Sequence, residues 1–287
     1  MTWLWILIIL LVVIFLLDRL VERMYRYERK STRLTPQKYD IPFEEIQISA
    51  MDGAHLHGWW IPVSPQASTL ILIHGWGRNL SRVLPYIRGL HPLGYNLLAF
   101  DARSHGDSSS IPHPTMGTFS EDAISALDFL FQSELIVSHE IGILGLSVGG
   151  SAAINAAGWD KRVKCAVTIG APSHPVEVMK LEFEKRKIPV FIASFLLGYL
   201  RLRFGIDFDK IAPLNNLPKT EADVFLIHGE NDETIPLSQG QALAKAGNPQ
   251  KVRLWIVPGK GHSDCDTHPQ FWEKLEAFLK ATFPVPT

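Results

Sequence analysis

Gly145-Leu146-Ser147-Val148-Gly149 places a serine between two glycines spaced for a very tight turn. The apolar run 141–146 reads as a short buried strand, and the small residues 150–157 read as the start of a helix. In that context the turn is a nucleophile elbow, in which positions two either side of the serine have almost no room for a side chain. The serine is lifted to the tip, beside the N–H groups and positive dipole end of the following helix. A serine hydroxyl is a poor nucleophile at neutral pH, so it needs a base, and the base needs an orienting acid. His262, in Gly259-Lys260-Gly261-His262, lies just past the last strand-like run; Asp232, in Gly229-Glu230-Asn231-Asp232, lies just past the one before it. Serine, aspartate, histidine is also the chain order that the elbow architecture uses. His262 is therefore expected to take the serine proton and return it to the leaving group. Asp232 is expected to hold the imidazole and stabilise its charged form. Glu230 and Glu233 are fallback acids, and His268 fits the base role less well.

An acyl-transfer site also needs N–H donors for the oxyanion. Val148 follows the serine, and Trp76 lies in His74-Gly75-Trp76-Gly77 after an earlier strand, so the backbone N–H groups of Trp76 and Val148 are the expected pair. The His74 side chain reads as structural. Residues 101–108, DARSHGDS, carry a histidine and two carboxylates, but not at zinc-site spacing, and read as an Asp–Arg hydrogen-bonded loop. His55 and His57 alternate along a strand and share a face, read as the solvent face. Neither a metal nor an organic cofactor is needed.

The elements that must position these groups follow from hydrophobic periodicity. An antiparallel hairpin is expected around Asp52-Gly53, then buried strands at 69–73, 95–100, 141–146, 163–169, 224–228 and 252–257. Helices are expected at 81–91, at 119–135 with Thr118 or Ser120 as cap, after the elbow, and at 269–282. Strands apolar throughout that alternate with helices predict a mostly parallel sheet of about eight strands, covered on both faces. Functional residues should gather at the carboxyl ends of those strands. Residues 173–217 interrupt the alternation and read as a cap of two or three helices, some of whose apolar surface would suit a greasy substrate or a membrane.

Residues 2–17 carry no charge, and with Leu20 and Val21 they are long enough for a membrane helix whose Arg19 and Arg23 reach the surface. The flanks lack the basic start and small-residue cleavage site of a signal peptide. Arg19, Arg23, Arg26, Arg29, Lys30, Arg33 and Lys38 all follow the apolar run, which puts the large domain in the cytoplasm. The stretch 18–30 is expected to continue as an interfacial helix that favours anionic head groups. The domains read as an anchor at 1–22, a basic juxtamembrane linker at 23–42 and a catalytic domain at 43–287.

The chain has 287 residues, a formal net charge of -1 and two cysteines. That balance speaks against nucleic-acid binding, and two cysteines make no disulfide framework.

From about Phe43 onward the chain resembles the α/β-hydrolase superfamily, on HGWG (74–77), DARSHGDS (101–108), GLSVGG (145–150), GENDETIP (229–236) and GKGH (259–262). It looks most like membrane-anchored serine hydrolases related to acylaminoacyl-peptidase catalytic domains. The resemblance implies an α/β-hydrolase fold, a triad of Ser147, Asp232 and His262, and an oxyanion hole at Trp76 and Val148. The serine departs from the elbow aspartate of haloalkane dehalogenases and epoxide hydrolases, and HGWG departs from the HGGG of hormone-sensitive-lipase-like esterases. The expected activity is hydrolysis of carboxylic esters or thioesters, on a small acyl ester or lipid-like substrate. A peptidase or amidase on short peptides, and a non-catalytic membrane-tethered binding module, are the alternatives.

Overall fold

The computed structural model describes residues 2–25 and 28–285. The ends of the expected anchor and catalytic segments, and positions 26–27 of the expected linker, lie outside the described residues. The eight strands are β1 (Glu44–Ser49), β2 (His55–Ile61), β3 (Thr69–Ile73), β4 (Asn96–Phe100), β5 (Ile141–Leu146), β6 (Val163–Ile169), β7 (Asp223–Gly229) and β8 (Val252–Val257). The helices are α1 (Thr2–Tyr25), α2 (Leu84–Leu90), α3 (Met116–Gln132), α4 (Val148–Trp159), α5 (Pro175–Lys185), α6 (Val190–Phe204), α7 (Pro213–Asn216), α8 (Leu237–Ala246) and α9 (Phe271–Thr282).

The strands form one sheet in the order β1-β2-β4-β3-β5-β6-β7-β8. β2 is antiparallel to both neighbours; β4 to β8 run parallel with β3. The β1–β2 turn is made by Asp52 and Gly53, both at positive φ (66° and 73°), as the hairpin reading requires. Alternate side chains of one strand supply two separate cores. Ile71 and Ile73 of β3 join the core under α3 and α4, and Leu70 and Leu72 join the core under α2 and α9. Each such buried aliphatic side chain stabilises the fold by about 1.5–3 kcal/mol. A strand used on both faces has no polar side, which is why these runs read as continuous apolar stretches.

Helix α3 begins earlier than its periodicity indicates. Its cap is Thr115: the Thr115 Oγ1 accepts from the Thr118 N–H at 3.3 Å, and the Thr118 Oγ1 accepts from the Thr115 N–H at 2.8 Å. Thr118 is the third residue of the helix and closes the capping box.

Between β6 and β7 the chain forms α5, α6 and α7. Helix α1 packs on this segment. Leu17 contacts the cluster of Phe183, Ala193 and Leu196, and Val21 is buried with Leu200 and Phe208. The Tyr199 hydroxyl donates to Asp18 at 2.5 Å, and the Arg203 guanidinium does so at 3.2 Å. Trp3–Arg23 is long and apolar enough to cross a membrane.

The helix is described as far as Tyr25, and residues 28–35 have no regular structure, so the interfacial helix expected over 18–30 does not extend to its expected end. The reason is tertiary. Arg29 donates to the carbonyls of Gly106 and Ser108 and to the Ser110 hydroxyl, and the Thr32 N–H donates to Asp107. This guanidinium is engaged by the protein rather than presented to head groups.

Candidate active site

Ser147 caps α4 with φ 54° and ψ −120°, a conformation that costs a non-glycine residue on the order of 1–3 kcal/mol. Such strain persists only where the surroundings over-determine it. Here β5 and α4 meet so closely that a Cβ on Gly145 would lie 2.0 Å from the Gly149 carbonyl oxygen. The Ser147 N–H is tied to the Ile169 carbonyl of β6 at 2.8 Å. Backbone crowding therefore holds the serine at the sheet's carboxyl edge.

His262 follows β8 and Asp232 follows β7, and both reach that edge. The Ser147 hydroxyl donates to His262 Nε2 at 3.0 Å. On the other side of the ring, His262 Nδ1–H donates to Asp232 Oδ2 at 2.7 Å. The second oxygen of Asp232 accepts the N–H groups of Thr234 (2.9 Å) and Ile235 (2.8 Å). The Asp232 side chain is fully shielded from solvent, whereas the His262 ring is partly open. A carboxylate held by two backbone donors cannot turn away from the imidazole. The imidazole is thereby oriented with Nε2 toward the serine, where it can accept a proton.

The fallback groups are elsewhere. Glu230 accepts from the Gly259 N–H at 2.9 Å, Glu233 is exposed, and His268 packs edge-on to Trp255. Sequence reading also missed supporting residues. His228, buried at the end of β7, donates from Nε2 to the Ile235 carbonyl at 2.8 Å and so fixes the loop that holds Asp232. Burial lowers its pKa, so it stays neutral in that role. Its only signal was a histidine ending an apolar strand. Gly170, at φ 65°, lies beneath the pair; a Cβ there would sit 3.0 Å from His262 Nδ1.

Gly75 faces the serine: a Cβ on it would lie 3.1 Å from the Ser147 Cβ, so the chain leading to Trp76 passes beside the hydroxyl. Val148 is the first residue of α4, with its amide at the helix N-terminus. The Trp76 ring stacks on Phe119 and meets His105 edge-on. His74 is buried and structural: it donates to the Gly75 carbonyl (2.8 Å) and accepts the Ala102 N–H (3.0 Å), linking two edge loops. Burial pushes its pKa down to about 4.

In the segment 101–108, read as an Asp–Arg hydrogen-bonded loop, Arg103 finds its acids outside the loop. Asp101 accepts the Leu80 and Asp107 N–H groups, and burial raises it to about 6. Arg103 instead pairs with Asp122 (2.5 Å) and Glu121 (2.6 Å) of α3. These acids raise the guanidinium pKa against the effect of its burial. Both cysteines are buried thiols, and burial raises Cys265 to about 12.

A cavity of about 650 Å³ opens on Ser147 and His262. Arg78 and Arg82 line it, with Arg82 donating to the Ser263 carbonyl beside His262. Met179, Leu200 and Phe208 of the cap segment line it as well, together with Val21 of α1.

Known proteins place this geometry in context. The chain is 28% identical over 265 residues to the uncharacterised protein YfhR of Salmonella typhi, covering 89% of this chain and 86% of that one. It is 25% identical over 166 residues to a thiohydrolase of Aspergillus aculeatus, covering 57% and 50%. An esterase of Pyrococcus furiosus superposes with a TM-score of 0.74 at 25% identity, covering 89% of this chain and 96% of that structure. Residues 70–274 match the model of the alpha/beta hydrolase family, and with the sheet order and the strand–turn–helix at Ser147 this establishes that the chain belongs to the alpha/beta hydrolase family.

Proposed function

We propose that this protein is a serine hydrolase that cleaves carboxylic esters or thioesters through an acyl-enzyme, with Ser147, His262 and Asp232 as its triad. The observation that carries the reading is the continuous line from the Ser147 Oγ to His262 Nε2 (3.0 Å) and from His262 Nδ1 to Asp232 (2.7 Å). As Ser147 attacks the acyl carbonyl, His262 takes its proton and Asp232 stabilises the imidazolium. The N–H groups of Val148 and Trp76 receive the oxyanion. Collapse expels the alcohol or thiol, which takes the proton from His262. Water then attacks the acyl-enzyme with His262 as base, releases the acid and regenerates Ser147. The esterase and thiohydrolase among the similar proteins favour this acyl chemistry over other reactions run on the fold.

The anchor at 1–22, the linker at 23–42 and the catalytic domain at 43–287, with its cap at 173–217, complete the reading. The basic residues on the carboxyl side of the apolar helix support a single-pass protein whose catalytic domain is cytoplasmic. Ser147→Ala is expected to lower p-nitrophenyl ester hydrolysis by on the order of 10³-fold or more and to abolish labelling by a fluorophosphonate probe. An unchanged rate would falsify the assignment.

A further inference from the structure

Helix α1 is more than a tether, because its length and its contacts together constrain where the cap lies. The apolar span Trp3–Arg23 has 21 residues, about 32 Å at ~1.5 Å per residue, which matches a ~30 Å hydrocarbon core. Its second half is bound to the cap segment: Tyr199 reaches the Ile14 carbonyl, and Leu17, Asp18 and Val21 follow along one side. Residues 3–13 alone would cover only about 16 Å, half of the bilayer. If α1 crosses the membrane, its cap-bound turns are inside the hydrocarbon, and α6 is carried in with them.

The surface of α6 fits that position. Its inward side chains Ala193, Leu196 and Leu200 are buried, yet Val190, Phe191, Phe195 and Leu202 are 81%, 75%, 57% and 88% exposed. Large exposed apolar side chains cluster this densely on α1 and α6, whereas on the sheet domain they occur singly. Of the two acidic residues in the bound half of α1, Asp18 is paired with Arg203 and hydrogen-bonded by Tyr199, and Glu22 is paired with Arg19. A charge in low dielectric requires such partners. The cavity is continuous with this unit. Val21, only 1% exposed, lines it beside Leu200 and Phe208, while Ser147 and Arg82 line its polar part.

We propose that α6 and the last turns of α1 sit together in one leaflet, and that the cavity receives the acyl chain of a bilayer-resident ester, with Val21 limiting how long a chain it holds. This rests on the serine-hydrolase and anchor readings above. A chain already in the leaflet meets an apolar wall first, and its ester then reaches the polar end at Ser147.

The test uses the full chain in liposomes, with p-nitrophenyl butyrate and p-nitrophenyl palmitate as substrates. Val21→Trp is expected to lower the palmitate-to-butyrate ratio of kcat/KM about tenfold, the effect of roughly 1.4 kcal/mol of lost chain binding. Val21→Ala is expected to raise the ratio, and it decides the matter if the tryptophan variant does not fold. Leu16→Trp, on the exposed side of α1, leaves the ratio as it is in the wild type. Equal ratios in wild type, Val21→Trp and Val21→Ala, or rates that fall equally on both esters, would overturn the proposal. Hydrolysis persisting in Ser147→Ala would instead overturn the reaction.

Discussion

The carboxyl edge of the sheet and the cap with α1 are built in opposite ways. At the edge, three key polar side chains are each held from two or more directions: Asp232 by two amides and an imidazole, His74 by a carbonyl and an amide, Arg103 by two carboxylates. In the cap, α6 leaves Phe191, Phe195 and Leu202 bare and is tied to α1 by few polar contacts. Rigid polar closure suits fixed chemistry, whereas an apolar, lightly tied surface suits a variable greasy ligand. On this contrast, changes at the edge should damage the reaction or the fold, and changes in the cap should alter which substrate is used.

The largest effect is expected from Asp232→Asn. The amide keeps the size of the side chain but loses the charge that stabilises the imidazolium, and it favours the wrong imidazole tautomer. On the proposed mechanism kcat should fall by about 10⁴-fold, about 5.5 kcal/mol, with the melting temperature little changed. A loss below tenfold in steady-state assays would mean that this edge is not the reacting centre.

Next comes Arg103→Ala, which removes the partner of Asp122 and leaves a buried carboxylate uncompensated. Removing one member of such a pair costs about 3–5 kcal/mol, to be read from urea unfolding. Breaking the exposed Lys161–Glu221 pair in the same way should leave the unfolding midpoint nearly unchanged, because solvent screens that pair. Similar losses from the two pairs would remove the distinction between a closed edge and an ordinary surface.

The buried histidines give the edge a pH dependence of calculable sign. Burial pushes His74 down to about 4 and His105 to about 3. Below the ~6.5 of an exposed imidazole, the unfolded chain binds protons that the native chain refuses, so stability falls as pH drops. By pH ~5 each costs about 2 kcal/mol, and Asp101 and Asp122, both raised to about 6 by burial, each return about 1 kcal/mol because they protonate first in the native state. Net unfolding free energy should be about 2 kcal/mol lower near pH 5 than near pH 7. His74→Gln should flatten that slope by about 2 kcal/mol whatever it does to stability at neutral pH.

The two regions also differ in how far they were legible in the sequence. Strands β3, β5 and β6 could be bounded because both faces are buried, so apolar runs end where the chain leaves the sheet. Ser147, Asp232 and His262 could be brought together because a parallel sheet sends every strand end to one edge. Residues 101–108 were read as an Asp–Arg hydrogen-bonded loop because its acids and Arg103 are neighbours in sequence; the partner Asp122 comes from the next helix, a contact set by tertiary packing. The Thr115 cap was missed because Thr118 is an equally good capping residue by type. The role of Val21 was hidden for a different reason. Helix α1 is apolar on every side, so no stripe marks which face meets the cap, and a helix pattern carries information only through its asymmetry.

The smallest stability effect with the clearest functional signature is expected on the outer face of α6. Phe191 and Phe195 make little contact with the rest of the chain, so replacing both by serine should alter unfolding free energy by no more than about 0.5 kcal/mol per site. In water such substitutions are harmless. In a leaflet each removes a side chain that contributes roughly 1.5–3 kcal/mol of apolar burial. The double variant should therefore match the wild type on p-nitrophenyl butyrate in detergent but lose several-fold in rate on an acyl ester presented in liposomes. Equal liposome rates would place α6 outside the bilayer and leave the cap as an ordinary lid over the sheet edge. A loss confined to liposomes would separate the two regions by what each recognises: the edge an acyl carbonyl, the cap the membrane that supplies it.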